Sequence, residues 1–148
     1  MDVIVTERKS ATWIRLNRPE RRNAFDPEMA LEIVNAIDGA TASRAVVITG
    51  SPGSFCSGGS LTSLAHPTER EMRYMYEGSL RLFDAIRRCP RPVIAAVNGA
   101  AAGGGNELIV ACDLAIASKS ATFGQTGPRV GSAPVTGATN VMGIQIGE

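Results

Sequence analysis

The hydrophobic positions of this chain switch between short continuous runs and helical spacing. Val3-Ile4-Val5 and Ala11-Thr12-Trp13-Ile14-Arg15-Leu16 predict two strands, joined at Arg8-Lys9-Ser10 as a hairpin. Asn17-Arg18-Pro19-Glu20 breaks that pattern. Asp26-Pro27-Glu28 reads as a helix start: an N-cap acid, proline at the first helical position and an acid in the first turn. Ala30, Ile33, Val34 and Ile37 then share one face as far as Asp38-Gly39. Ala45 to Thr49 predicts a third strand, closed by Gly50. Residues 50–60 read GSPGSFCSGGS, a glycine-rich loop. Helical spacing resumes near Thr68 and lasts to Arg88, with Met72, Met75, Tyr76, Leu80, Phe83 and Ile86 as the inner face. The methionines and aromatics of that stripe read as core. Cys89-Pro90-Arg91-Pro92 ends the helix and leads into Val93–Val97, a buried strand.

The centre of the chain follows. A turn at Asn98-Gly99 precedes tiny residues ending in Gly103-Gly104-Gly105, then a helix-like stretch from Asn106 to Cys112. Asp113 opens another apolar run, Leu114 to Ala117. Phe123 to Pro128 is punctuated by glycine, and Gly131 to Gly147 is weakly patterned, the start of a helix. Strands alternating with helices in this order imply a layered α/β fold.

Three glycines ahead of a helix allow two readings. They let another group approach the backbone closely. They also leave the first N–H groups of the helix unpaired, with the positive end of its dipole behind them, which suits negative charge. Close packing of the helix on a sheet is the other reading. Residues 50–60 hold neither a GxSxG elbow nor a GK[ST] phosphate cradle. Ser54, Ser57 and Ser60 have no evident base partner there.

Composition narrows the class further. The 148 residues are 44% hydrophobic and 20% charged, with a formal net charge of +1. That is one ordinary core, with no nucleic-acid or membrane partner indicated. No apolar run is long enough to span a bilayer, and the first residues lack signal-peptide character. Cys56, Cys89 and Cys112 are odd in number and lack CxxC spacing, which fits a reduced, cytoplasmic setting. His66 is the single histidine, read as a surface residue before Pro67; no His-cluster metal site is expected.

Four segments together resemble one family. They are Ile14-Arg15-Leu16-Asn17-Arg18-Pro19-Glu20-Arg21-Arg22-Asn23-Ala24-Phe25; Phe55-Cys56-Ser57-Gly58-Gly59; Ala96-Val97-Asn98-Gly99 through Gly103-Gly104-Gly105-Asn106-Glu107-Leu108, with Cys112-Asp113; and Phe123-Gly124-Gln125. In order and spacing they resemble the enoyl-CoA hydratase/isomerase (crotonase) superfamily. The resemblance implies an α/β spiral of ββα turns over residues 1–148, in trimers or dimers of trimers, that binds coenzyme A thioesters. Coenzyme A is then part of the substrate, and no separate cofactor is expected. Two backbone N–H groups would hold the thioester carbonyl; by position they belong to Gly59 and Gly104. Losing one such donor typically costs about 10² to 10³ in rate. The catalytic glutamate of the family falls on Glu107; complementing the helix dipole is the lesser reading of that residue. Substrate-binding positions fall on Arg21, Arg22, Ala24, Ser57, Gly58, Leu61, Gly103 and Gly127. Arg21 and Arg22 lie where relatives contact the CoA phosphates or adenine, although an unpaired surface arginine also fits each.

The chain departs from the family pattern in two places. Hydratases use a second glutamate, and Gly127 stands at its position. General acid–base help is worth roughly 10² to 10⁴, so its absence matters. The segment from Phe123 to Ser132 resembles 1,4-dihydroxy-2-naphthoyl-CoA synthases, which also have glycine there. Those carry an aspartate where this chain has Pro134, and generally lack the counterpart of Glu107. Asn106-Glu107 with Gly131-Ser132-Ala133 and Gly137-Ala138-Thr139-Asn140 is more similar to ring-opening 6-oxocyclohex-1-ene-1-carbonyl-CoA hydrolases. Ser60 matches none of these branches. Subunits of the family run on past Glu148 through a mostly helical part, so the expectation is a spiral core with that part absent. The activity expected is addition of water to a conjugated, cyclic or open, enoyl-CoA. Carbon–carbon bond formation of the naphthoyl-CoA synthase type and non-catalytic acyl-CoA binding are the rivals.

Overall fold

A computed structural model describes residues 1–60, 67–134 and 138–146. Strands β1 (Val3–Arg8) and β2 (Ala11–Leu16) form the expected hairpin, turning at Lys9 with φ 55°. Strands β3 (Ala45–Gly50), β5 (Val93–Val97) and β7 (Leu114–Ala117) follow β2 in parallel, giving the order β1-β2-β3-β5-β7. A second, all-parallel sheet is built from β4 (Ser54–Cys56), β6 (Ala100–Ala102) and β8 (Phe123–Gly124). The helices are α1 (Pro27–Gly39), α2 (Glu69–Arg88), α3 (Gly104–Ala111) and α4 (Ala138–Ile146). After the hairpin and α1, each pass of the chain therefore lays one strand in the large sheet, one in the small sheet, then a helix. This is the spiral of ββα turns that the resemblance implied.

The large sheet carries the core. Ile14, Leu16, Val46, Ile48, Val93 and Ala95 are fully buried, against Met29, Ile33 and Ile37 of α1 and Leu82, Phe83 and Ile86 of α2. Asp26 caps α1 as expected, accepting the Met29 N–H at 2.9 Å. It also pairs with Arg18, which pairs in turn with Asp2. Burial pushes the Asp26 carboxyl up, but the Arg18 guanidinium and the Met29 N–H outweigh it and hold it below its ordinary value.

Three expectations need correction. Strand β4 lies inside the stretch read as a loop, and β6 inside the run of tiny residues. Each is three residues long and neither has periodicity; pairing across the small sheet makes them strands. Gly50 lets the chain double back between β3 and β4, since a Cβ there would lie 2.2 Å from the Ser54 carbonyl oxygen. Second, α3 begins at Gly104, not Asn106, so two of the three glycines are helical. Third, only the second half of α2 reaches the core. Tyr76 is 39% and Leu80 53% exposed, and Met72 and Met75 are half-buried. Leu82, absent from the expected stripe, is fully buried.

Candidate active site

Two asparagines fix β4 and the turn that leads into it. Asn23, fully buried, takes φ 56°, a left-handed conformation that asparagine tolerates. Its amide donates to the Ser54 and Phe55 carbonyls at 2.9 and 3.2 Å, and its Oδ1 accepts the Arg18 N–H. Asn98, just after β5, accepts the Gly50 N–H at 2.9 Å and donates to the Ser51 and Ser54 carbonyls. Cys56 is buried among them and donates its thiol to the Asn23 carbonyl. Burial pushes that thiol up to about 12, so it serves as packing and not as a nucleophile.

Phe25 then runs beside the loop as a one-residue parallel bridge to Gly59. Phe25 N–H donates to the Gly58 carbonyl and Ser60 N–H to the Phe25 carbonyl, both at 2.9 Å. Those bonds use the residues on either side of Gly59, so the Gly59 N–H faces the opposite way. Among the described residues no backbone acceptor takes it.

The start of α3 is pressed against this loop. Gly103 caps the helix with φ 50° and donates its N–H to the Gly124 carbonyl at 2.8 Å. Gly104, the first helical residue, has no intrahelical acceptor for its N–H. A Cβ on Gly104 would lie 3.4 Å from the Gly59 nitrogen and 3.2 Å from Phe25 Cζ. A Cβ on Gly105 would lie 2.0 Å from the Cys56 carbonyl oxygen. The close-packing reading of the glycine run therefore holds at Gly105, which seats the helix on β4, while Gly104, the first residue of α3, lies against Gly59.

Glu107 sits in the same helical turn, 5% exposed. Its Oε1 accepts Gln125 Nε2 at 3.0 Å, while Gln125 Oε1 accepts Asn106 Nδ2 at 3.4 Å. Gln125 follows β8, and the pairing of Ala102 with Gly124 brings it to α3. Nothing in the sequence singled it out by itself. Its place immediately after an apolar-glycine strand was the available signal.

Gly59, Gly103, Gly104, Glu107 and Gln125 open on one cleft of about 170 Å³. Phe25, Ser57, Gly59, Gly103, Gly104 and Glu107 line it from the β4 loop and the start of α3. Gln125, Thr126, Gly127, Ser132 and Ala133 form one wall, and Met72, Met75, Tyr76 and Ser79 of α2 the other. The stripe expected to be core in the first half of α2 is thus a cleft wall. Glu107 is the one carboxylate among the described lining residues. Gly59, Gly104 and Glu107 thus share one cleft, and backbone N–H groups and a carboxylate are the kinds of group that can hold an oxyanion and move a proton.

Of the predicted positions, Gly58 lies just behind the lining; a Cβ on it would meet the Gly104 nitrogen at 2.8 Å. Arg21 and Arg22 are exposed, and Ala24 is buried outside the cleft. The Arg22 carbonyl accepts the Ser57 N–H and the Arg21 carbonyl the Ser57 hydroxyl, so their backbone sets the rim. Leu61 and His66 lie outside the described residues. Among the described residues no cluster of three or more His, Cys, Asp or Glu is placed to hold a metal. None of their helices is long and apolar enough to cross a membrane.

Comparison with known proteins matches residues 6–148 to the family model described as enoyl-CoA hydratase/isomerase. The chain is 39% identical over 141 residues to a 6-oxocyclohex-1-ene-1-carbonyl-CoA hydrolase of Syntrophus aciditrophicus, covering 89% of this chain and 36% of that protein. It is 44% identical over 138 residues to a probable enoyl-CoA hydratase of Rhodobacter capsulatus, covering 90% and 52%. The crystal structure of an enoyl-CoA hydratase from Bacillus anthracis superposes with a TM-score of 0.91 at 31% identity, covering 100% of this chain and 59% of that one. The chain spans about half the length, or less, of these curated relatives.

Proposed function

Because this chain belongs to the enoyl-CoA hydratase/isomerase family, we propose that it adds water to the conjugated double bond of an enoyl-CoA thioester. The observation that carries the reading is the meeting of Gly59, Gly104 and Glu107 on one cleft. The thioester carbonyl lies against the N–H groups of Gly59 and Gly104. Water attacks the β-carbon as Glu107 takes its proton, and the electrons of the double bond pass to the carbonyl oxygen. The two N–H groups hold the resulting enolate, positioned before the charge forms, which is what makes such donors effective. Glu107 then returns the proton to the α-carbon, so one carboxylate serves both steps. The relatives named above as a probable enoyl-CoA hydratase and a 6-oxocyclohex-1-ene-1-carbonyl-CoA hydrolase support water as the co-substrate. Arg21 and Arg22, exposed beside Ser57, suit the CoA phosphates, and assembly as a homotrimer or dimer of trimers belongs to the same proposal.

Gly127 favours a second reading, carbon–carbon bond formation with an external ion in place of a second carboxylate. Two measurements separate the readings. Acetoacetyl-CoA should develop an enolate-like ultraviolet band on binding, and an enoyl-CoA should lose its conjugated absorbance with turnover. A band without hydration, together with activity that rises with added bicarbonate, would transfer support to bond formation. Neither band nor binding would overturn both.

Gln125 is a positioning residue in this scheme, since it holds one oxygen of Glu107. Gln125→Leu removes that bond and should lower kcat about tenfold, with KM changed much less. Gln125→Asn, which retains the amide on a shorter stem, should recover part of the loss. Equal kcat for all three proteins would show that Glu107 is held by other means.

A further inference from the structure

Arg91 stands between two prolines just ahead of β5. Pro90 and Pro92 restrict its backbone. The Pro92 carbonyl accepts the Val46 N–H at 2.9 Å, and the Val93 N–H donates to Asp113 at 2.8 Å, so the root of the side chain is fixed. Arg91 lines a cavity of about 370 Å³ between α1 and α2, which shares no described residue with the cleft. Leu31, Val34, Ile37 and Ala85 supply its apolar lining. Arg81, Arg88, Asp38 and Asp84 line it as well. Arg88 is accounted for: it pairs with Asp84 at 2.8 Å and stands in the last turn of α2, where a cation complements the helix dipole. Arg81 and Arg91 form no ion pair among the described residues. Arg91 Nε is buried without a hydrogen-bond partner, the one such side-chain atom among the described residues. A buried donor on a charged group is costly to leave unmet, so this atom calls for an acceptor.

We infer that this cavity is a second binding site, for a small monocarboxylate with a hydrocarbon body, and that the carboxylate sits on Arg91. A guanidinium presents Nε and one Nη as two parallel N–H donors at the spacing of carboxylate oxygens. A carboxylate placed there meets the buried Nε, and the hydrocarbon attached to it falls among Leu31, Val34, Ile37 and Ala85. The charge count selects a monoanion. Three guanidiniums and two carboxylates among the described lining residues leave one positive charge, which a single carboxylate balances. A phosphate group, more than singly charged near neutral pH, would overfill it beside Asp38 and Asp84. Arg81, exposed at the opening, adds attraction through solvent and therefore counts for less.

Octanoate, its uncharged analogue octanamide and inorganic phosphate are the probes, titrated by calorimetry into wild type, Arg91→Gln, Arg91→Lys and Arg81→Gln. Wild type should bind octanoate at millimolar concentrations or below, and octanamide about tenfold more weakly or worse. Arg91→Gln should lower octanoate affinity about tenfold or more. Arg91→Lys keeps the charge without the fork and should lower it about threefold or more. Arg81→Gln should cost about twofold. Circular dichroism checks that each variant is folded, and if Arg91→Gln is not, Arg91→Lys decides. Octanoate affinity unchanged by substitution of Arg91 overturns the inference, because the carboxylate then binds elsewhere. Octanamide binding as tightly as octanoate overturns it too, since charge is then not recognised. Phosphate binding more tightly than octanoate would replace it with a bare anion site, and no octanoate binding to wild type would remove the site altogether.

Discussion

Glu107→Gln should lower the rate of enoyl-CoA hydration by about 10² to 10⁴ while leaving acyl-CoA affinity within about threefold. Glutamine keeps the shape of the side chain and a hydrogen bond to Gln125, whose amide can offer either end to it. It cannot take a proton from water. The site is also short of substitutes, because Glu107 is the one carboxylate among the described residues lining the cleft. In a site with two carboxylates the loss of one can be partly covered; here the whole proton transfer goes. Steady-state kinetics should show the loss in kcat, and acetoacetyl-CoA should still give its enolate-like band, because the N–H groups of Gly59 and Gly104 are backbone. Hydration within twofold of wild type would mean that the proton travels by another route, and the proposed mechanism would fall.

The largest effect on stability should come from Gly105→Ala. The added methyl would stand 2.0 Å from the Cys56 carbonyl oxygen and 2.7 Å from its carbon. Both partners are backbone, in α3 and β4, so no side chain can swing aside. Relief requires the helix and the strand to part, at a cost of about 3 kcal/mol or more. For a chain of this size that is about 6 °C or more in Tm. The same movement separates the Gly104 and Gly59 N–H groups, so the acetoacetyl-CoA band should weaken even in the fraction that stays folded. Gly39→Ala is the control: nothing lies within 4 Å of a Cβ there, and the change should stay within about 1 kcal/mol. Thermal unfolding followed by circular dichroism reads both. A Gly105→Ala protein as stable as wild type, with a full band, would show that this close approach is not needed.

Much of this was legible in the chain itself. The hairpin, α1 with its Asp26 cap, β3, β5 and the second half of α2 follow from local rules, because each buries a periodic face or satisfies its own end groups. Gly59, Gly104 and Glu107 were singled out through the segments around them, and the structure places all three on one cleft. Glycines mark a backbone site because the backbone must be reached, and that requirement is written in the residue type.

What the sequence could not supply was contact between distant segments. β4, β6 and β8 are too short for periodicity and become strands only by pairing with one another. Gln125 reaches Glu107 only because β8 lies beside β6. The methionine stripe of α2 has the spacing of a core face, and spacing cannot say whether core or cleft lies opposite. The sequence by itself determined which backbone can be approached, which helix carries the acid and which segments are buried. Only the tertiary structure decided what stands across from them, because local pattern records a residue's need for apolar company and not the identity of the partner that provides it.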